Sequence, residues 1–329
     1  MKPARSPSIQ PAVTGLSNRA PFALLDVLLA AGLTWIVFTG VRVVRGPRTG
    51  GRLWAIVRAA STAAALAGVI YLAFLALWGL NYRRVPLERR LDFARGRVTA
   101  AAARSLTATV VARANALRPG LPDASWPDWP RTAATLAEPF LSVQRQLGAS
   151  WSLRPGNPKW SLLSWYFERA GVDGMTNPLF LEVLVNRSLL PFERHAVLAH
   201  EWAHLAGYPR ESEASFVGWL ACLQGPPPAQ YSAHLSLLGH LLPGLPASER
   251  EDVLRRLHPE VRDDLRAIAR RVAAASPAVR QAAWRVYDGY LKANRVEQGV
   301  RSYGEALDLV LGSRLSDHWV PALAGSPRR

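Results

Sequence analysis

Five consecutive residues, His-Glu-Trp-Ala-His, form the clearest chemical pattern in the sequence. They place two histidines, His200 and His204, four positions apart with Glu201 directly after the first. The surrounding segment starts with Pro191 and stops at Gly207, which predicts one helix. Four residues advance a helix by slightly more than one turn, so both imidazoles project from one face and can share a cation. Imidazole suits Zn²⁺, and the Glu201 carboxylate can accept a proton from a water that the metal activates.

A catalytic zinc site needs a third protein ligand and one open position. The residues after the motif offer Glu211 and Glu213, both near the first turn of the next predicted helix. In the extended pattern HExxHxxGxxH, the position of the third histidine is occupied here by Arg210, which excludes that ligand set. The register Glu-x-x-Ala-(Asn/Asp) is matched by Glu211 and Ala214, with Ser215 in the last position. This register favours Glu211 over Glu213; the carboxylate that is not a ligand would be stabilised by the helix dipole.

The elements that must position these residues are mostly helical. A run rich in Val, Leu and Phe predicts a strand around residues 179–186, and Met175, Thr176 and Asn177 lead into it. Residues 157–159 are predicted to form a loop. Hydrophobic periodicity, interrupted by Pro and Gly clusters, predicts helices over residues 98–117, 131–148, 210–224, 229–242, 247–257, 259–274, 277–295 and 302–312. The predicted fold is therefore mainly α, an α+β domain with a small sheet.

Two long apolar runs precede this domain. The first, residues 21–44, contains only two charged residues, and the second, residues 59–80, contains none. Each is about long enough to cross the hydrocarbon core of a bilayer. Trp78 and Tyr82 close the second run, where aromatic residues of a membrane interface are expected. A buried core helix is the alternative for each run, but an uncharged run of this length favours a transmembrane helical hairpin.

The charge of the chain agrees with a membrane location. Its 329 residues carry a formal net charge of +16, and 49% of them are hydrophobic, which suits a nucleic-acid binder or a membrane protein with basic flanks. Residues 1–97 account for +11, which leaves +5 for residues 98–329. The basic excess therefore flanks the apolar runs and argues against nucleic acid as a partner. The single cysteine, Cys222, excludes an internal disulfide and a cysteine-based metal site.

The orientation of the hairpin is less clear from charge. Arg42 near the end of the first run and four further arginines in the loop that follows have no acidic residue among them, so the positive-inside rule assigns this loop to the cytoplasm. Basic residues also flank the runs on the other side, and a simple count of them points to the opposite orientation. Charge alone leaves the two topologies nearly balanced.

The segment HEWAHLAGYPRESEASF resembles zincin-type metallopeptidases whose third zinc ligand is a glutamate, the gluzincins. The chain as a whole resembles a bacterial membrane-anchored family catalogued as domain of unknown function 3810. This resemblance covers the collinear segments WGLNYRRVPL, GMTNPLFLEVLVNRSLLPFERHAVLAHEWAH and YDGYLKANRVEQGVRSYGEALDLVL. It implies that His200, His204 and Glu211 hold zinc. It further implies that Glu201 is the catalytic base and that the domain lies outside the cytoplasm at the inner membrane. Ser215 replaces the usual Asn or Asp, which bears on the orientation of a ligand histidine.

The implied mechanism is hydrolysis of a peptide bond. A zinc ion held by the three ligands would polarise the carbonyl, Glu201 would accept a proton from the attacking water, and the oxyanion would need a second donor. Tyr303 is the first candidate for this donor because SYGEALDL resembles a family segment. Tyr287, Tyr290 and His240 are further candidates, and ordinary helix packing is the alternative for each tyrosine. The predicted strand either pairs with an extended substrate or forms a hydrophobic layer under the active-site helix.

The sequence therefore predicts a membrane-anchored zinc metallopeptidase whose partners are a peptide or protein substrate and the lipid bilayer. Its predicted parts are a polar tail at residues 1–20, a transmembrane hairpin at 21–82, a zincin-like domain at 83–320 and a C-terminal tail at 321–329. The motif lies about 120 residues beyond the second run, which argues against cleavage within the bilayer. The alternative is a non-catalytic membrane scaffold or sensor with a structural zinc site, which would add a fourth ligand and would not need Glu201.

Overall fold

The computed structural model of the chain describes residues 9–45, 51–121, 126–149, 151–294 and 305–325, and these are mostly helical. The helices are α1 (Ile9–Ser17), α2 (Leu24–Arg45), α3 (Gly51–Leu77), α4 (Ala100–Leu117), α5 (Trp129–Gln146), α6 (Ser164–Ala170), α7 (Arg194–Leu205), α8 (Glu211–Leu223), α9 (Pro227–Leu241), α10 (Ala247–Arg256), α11 (Pro259–Ala273), α12 (Pro277–Ala293) and α13 (Glu305–Gly312). The strands are β1 (Pro158–Lys159), β2 (Gly174–Asn177) and β3 (Glu182–Val185). The prediction of a mainly α chain with a small sheet after two apolar helices is confirmed.

The two apolar helices, α2 and α3, pack against each other. Their lengths, 22 and 27 residues, are sufficient to cross a bilayer. In the most apolar stretch of each helix, no residue is buried within the protein. The second helix begins at Gly51, ahead of the predicted apolar run, because the intervening RLWAIVR contains no proline or glycine that would stop it. Helices this apolar and this exposed are compatible with membrane anchoring.

The polar segment before the first apolar helix contains α1, which rests on the domain that follows the hairpin. Gln10 Nε2 donates a hydrogen bond of 2.9 Å to the carbonyl oxygen of Arg154. Thr14 Oγ1 donates one of 2.8 Å to the carbonyl oxygen of Leu181. The N-terminal helix and the domain therefore lie at the same end of the hairpin.

A buried carboxylate joins the first apolar helix to the sheet. The side chain of Glu182, the first residue of β3, is fully buried, and Lys159 Nζ of β1 lies 3.1 Å from it. Its two oxygens accept hydrogen bonds of 2.9 Å from the amides of Leu24 and Leu25. The first amides of a helix have no acceptor within the helix and lie at its positive end, so Glu182 stabilises the start of α2.

The strand order is β1-β3-β2, with β1 parallel and β2 antiparallel to β3. The strand predicted at residues 179–186 is shorter, because residues 178–181 form a turn in which Asn177 Oδ1 accepts the Leu179 amide. The predicted loop at 157–159 contributes β1, which is fixed by its pairing with β3. Since β3 is buried and has a partner on each side, its predicted core role is confirmed, and the expectation that it pairs with substrate is wrong.

The centre of the hydrophobic core is the pair α7 and α8, and α7 is also covered by α5, α9 and β2. Trp202 of α7 is fully buried and lies perpendicular to Phe140 of α5, with 5.8 Å between ring centroids. The two helices approach closely at Gly218 of α8, where a Cβ would lie 2.8 Å from the His200 amide nitrogen. This close packing brings the start of α8 next to the HExxH motif.

We expect Glu182→Ala to lower the free energy of unfolding by about 3–5 kcal/mol, because it leaves the buried Lys159 ammonium without its carboxylate and removes the cap of α2. Denaturant unfolding of the full chain in detergent measures this change. The matched control is Glu138→Ala, whose partner Arg145 lies 2.6 Å away at an exposed site. Removal of an exposed pair has little effect on stability. Equal losses in the two variants would contradict the assigned role of Glu182.

Candidate metal centre

Two side chains of α7 and one of α8 converge where these helices cross. His200 and His204 project from one face of α7, with 4.7 Å between their ring centroids. Glu211, the first residue of α8, lies opposite them: its Oε2 is 3.0 Å from His200 Nε2 and 3.5 Å from His204 Nε2. The side chains of Glu211 and His204 are 4% and 10% exposed, whereas that of His200 is 21% exposed. The group is therefore most open to solvent at His200.

These three side chains fit a metal ion. One ligand atom from each lies within 4.8 Å of the other two. In a tetrahedral zinc site with metal–ligand bonds of about 2.0–2.1 Å, the ligand atoms lie about 3.4 Å from one another. The distances from Glu211 Oε2 to the two Nε2 atoms, 3.0 and 3.5 Å, are close to this value. No fourth His, Cys, Asp or Glu among the described residues joins the group. Three protein ligands leave one position for water or substrate, as in catalytic zinc sites, whereas structural sites have four.

Hydrogen bonds on the far side of each ring turn the Nε2 atoms of both histidines toward Glu211. His204 Nδ1 donates to the carbonyl oxygen of Tyr208 at 2.9 Å. His200 Nδ1 lies 3.2 Å from the hydroxyl oxygen of Ser215, in α8. The serine thus reaches the ring although it is shorter than the Asn or Asp that the resemblance would place there. Contacts of this kind fix the tautomer and orientation of a ligand histidine.

The alternative third ligand, Glu213, faces away from the two histidines. Its Oε1 accepts a hydrogen bond of 2.7 Å from the Leu87 amide. Burial raises the pKa of this carboxyl. The structure therefore brings Glu211, and not Glu213, to the histidine pair.

The charges within the group favour a cation at its centre. Burial alone would raise the pKa of Glu211, but the two imidazoles outweigh burial and hold this pKa well below its usual value. Burial likewise would lower the pKa of His204, yet the Glu211 carboxylate reverses the effect and raises this pKa to about 9. The carboxylate is ionised and draws positive charge to the imidazoles, which is the charge that a metal ion supplies.

A tyrosine of α12 completes the surroundings of Glu211. Tyr287 donates its hydroxyl to Glu211 Oε1, the oxygen that is not directed at the histidines. Among the residues predicted as oxyanion donors, Tyr287 is the one that the structure places against a candidate ligand. The ring of Tyr290 stacks on that of Tyr287, with 5.9 Å between centroids. His240, in the last turn of α9, has its pKa lowered by burial and by the imidazole of His200. Tyr303, the first candidate, lies outside the described residues.

Glu201 lies beside the three candidate ligands without joining them. Thr176 of β2 donates to it, with Oγ1 2.9 Å from Glu201 Oε2. Gly174 of the same strand faces the other oxygen, and a Cβ there would lie 2.8 Å from Oε1. Burial raises the pKa of Glu201, which favours proton uptake. The sequence does not predict the roles of Thr176 and Gly174; their spacing of two in a strand, which puts them on one face, is the only signal.

The end of the second apolar helix contacts the site, which the sequence does not predict either. Trp78, directly after α3, lies edge-on to His204, with 6.0 Å between ring centroids. The ring centroid of Phe74, in the last turn of α3, lies 6.0 Å from that of Tyr290. The end of α3 is therefore far from His204 and Tyr290 along the chain but in direct contact with both in the folded structure. The position of Trp78 at the end of an apolar run is equally well explained by a membrane interface, so it gives no specific signal.

Comparison with known proteins gives one match. A family model described as Protein of unknown function (DUF3810) matches residues 6–311, which is most of the chain. No curated protein and no solved structure matches the sequence. The matched range includes both apolar helices and the three candidate ligands. The chain therefore belongs to the DUF3810 family, as its resemblance to that family in three collinear segments predicts.

Proposed function

We propose that this protein is a membrane-anchored zinc metallopeptidase that hydrolyses peptide bonds. The observation that carries the proposal is the convergence of His200, His204 and Glu211 on one point, with the carboxylate of Glu201 beside them and outside the ligand group. A structural metal site has no use for such a carboxylate, whereas a hydrolytic site needs a base next to an open position. This arrangement supports an enzyme over a scaffold or sensor.

Zinc suits this donor set because two imidazole nitrogens and one carboxylate oxygen with an open fourth position are typical of zinc hydrolases. When bound, zinc supplies a Lewis acid and lowers the pKa of a water in the open position to about 7. Glu201 takes up the proton of the attacking water and transfers it to the leaving amine. Thr176 keeps Glu201 in place through Oε2, so its Oε1 remains beside Gly174 for the proton.

An extended substrate has a place along β2. This strand is at the edge of the described sheet and packs against α7. The unpaired backbone groups of an edge strand can bind an extended peptide by adding it to the sheet. The missing side chain of Gly174 leaves space between the strand and Glu201. A peptide paired with β2 would therefore bring its scissile bond to the base.

The membrane anchor in the proposal consists of α2 and α3. Large apolar side chains on them, including Leu33, Ile36, Val69 and Leu72, are 61–64% exposed. Such a surface is unfavourable in water and is satisfied by lipid. Since the start of α2 and the end of α3 both contact the domain, the other ends of these helices, at Arg45 and Gly51, lie at the opposite end of the hairpin, next to the arginines of the intervening sequence. The positive-inside rule favours the cytoplasm for this Arg-rich end, and the family resemblance, which decides between the two nearly balanced topologies, implies that the metal centre lies on the outer side of the inner membrane.

We expect zinc-loaded Glu201→Gln to lose peptide hydrolysis by at least about 10²-fold while its zinc content stays unchanged, because the substitution removes the base and no ligand. The measurement combines cleavage of a broad peptide library by the full chain with metal analysis of the same samples. Wild-type cleavage by this variant with zinc bound would rule out the proposed mechanism and favour the scaffold or sensor.

The identity of the third ligand is tested by a matched pair of isosteric changes. We expect Glu211→Gln to weaken zinc binding at least about 100-fold, because it removes the charged ligand. Glu213→Gln should bind zinc as the wild type does, since its amide oxygen can still accept the Leu87 amide. Competition with a zinc chelator measures both affinities. Full zinc affinity in Glu211→Gln, or its loss in Glu213→Gln alone, would refute the assignment.

Tyr287 is predicted to hold Glu211 in its ligand orientation. We expect Tyr287→Phe to weaken zinc binding about 10–100-fold, the usual effect of removing a hydrogen bond to a metal ligand. The matched control is Tyr290→Phe, which removes a neighbouring hydroxyl but leaves the bond to Glu211 and should retain wild-type affinity. The same chelator competition measures both variants, and equal affinities for them would show that the Tyr287 hydroxyl does not act on the site.

A further inference from the structure

Both ends of the apolar hairpin are attached to elements that form the metal centre. The end of α3 contacts it through Trp78, whose ring centroid lies 6.0 Å from that of His204. The start of α2 is held by Glu182 of β3, and the neighbouring strand β2 holds Glu201 through Thr176. Two helices that leave a bilayer at one surface define the level of that surface. The membrane surface therefore passes close to the metal ligands.

The domain exposes apolar side chains in segments that pack near the start of α2. The Leu162 amide donates a hydrogen bond of 2.9 Å to Asp26, at the start of α2, while the Leu162 side chain is 73% exposed. Trp160 and Trp165, close to it in the chain, are 54% and 60% exposed. α6, which contains Trp165, packs against α12, where Trp284 is 51% exposed. Tryptophan favours the lipid headgroup region, so this surface continues the lipid contact of the hairpin.

From this placement we infer that the substrate is a polypeptide anchored in the same membrane, cut in the segment that emerges from the bilayer. The inference rests on the proposed peptidase function and adds the class of its substrate. Trp78 and His204 are both buried, and the 6.0 Å between their ring centroids is a packing contact that fixes the end of α3 within about two residues of extended chain, at about 3.3 Å each, of a candidate ligand. A segment that leaves the bilayer beside α3 emerges close to the metal centre, whereas a soluble peptide must reach that centre from bulk water.

The reaction itself is ordinary hydrolysis. Water adds across one peptide bond, the C–N bond breaks, and the proton taken up by Glu201 goes to the new amino group while the acyl part becomes a carboxylate. One product stays in the membrane with the span, and the other is released. Anchoring the substrate and the enzyme in one bilayer raises their effective concentration, so weak contacts with the substrate sequence suffice.

The central test compares three reporter libraries with the same short randomised segment. In the first, the segment directly follows a poly-Leu/Ala span; in the second, a Gly/Ser linker of roughly 30 residues separates it from that span; in the third, the segment is a soluble peptide. Each is incubated with the zinc-loaded full chain in vesicles, and zinc-loaded Glu201→Gln gives the background. We expect the first library to be cut at least about tenfold faster than the other two, near its span.

Each other outcome contradicts a different statement. If the second or third library is cut as fast as the first, the inference is overturned while the peptidase function stands. If none of the three is cut above the Glu201→Gln background, the proposed peptidase function fails and the inference fails with it.

A measurement without activity tests the membrane level. Leu162→Cys and Val286→Cys place a thiol at side chains that are 73% and 77% exposed, and the natural Cys222 is fully buried. The matched control is Asp317→Cys, close in sequence to Trp319, whose ring lies 5.1 Å from Trp219. Trp219 lies roughly 12 Å along α8 from Glu211. We expect fluorophores at 162 and 286, but not at 317, to be quenched by nitroxide lipids in vesicles. No quenching at 162 and 286 would overturn the inference.

Discussion

The ionised carboxylate of Glu211, buried where α8 crosses α7, is the constraint on which the site depends. Burial of such a charge is costly unless positive or hydrogen-bonding groups surround it, so the two helices must stay in register. Glu211 and Ser215 lie four residues apart and therefore on one face of α8, and they contact the two ring nitrogens of His200 from both sides. Gly218 extends the close contact along the crossing. One helix pair thus supplies both the ligands and their orientation.

The supports of this crossing come from parts of the chain that are far apart in sequence. β2 reaches Glu201 through Thr176, α12 reaches Glu211 through Tyr287, and the end of α3 packs on His204 through Trp78. The hairpin is fixed at its other end by Glu182, whose carboxylate is stable in the core because a lysine and two helix amides share its charge. The apolar helices are consequently part of the structure of the site.

What could be predicted from the sequence is what depends on local periodicity. The four-residue spacing of His200 and His204, and the same spacing of Glu211 and Ser215, are properties of single helices, and prolines mark the starts of α11 and α12. The pairing of β1 with β3 and the contact of Trp78 depend on segments that meet only in the folded chain. No residue pattern within those segments encodes their partners, which is why the sequence predicts a loop at 157–159.

The contact between the end of α3 and the candidate metal centre also shows that a long separation in sequence is no measure of distance from the apolar helices. About 120 residues between the second apolar run and the motif suggest a catalytic domain well away from the bilayer, yet Trp78 and Phe74 place the end of α3 against the rings that surround the ligands. A soluble fragment that began after the hairpin would expose the rings of His204 and Tyr290, and Glu182 of β3 would lose its contact with α2. The apolar helices therefore contribute to the shape of the site, and under the proposed peptidase function the level of the membrane becomes a determinant of which polypeptides reach Glu201.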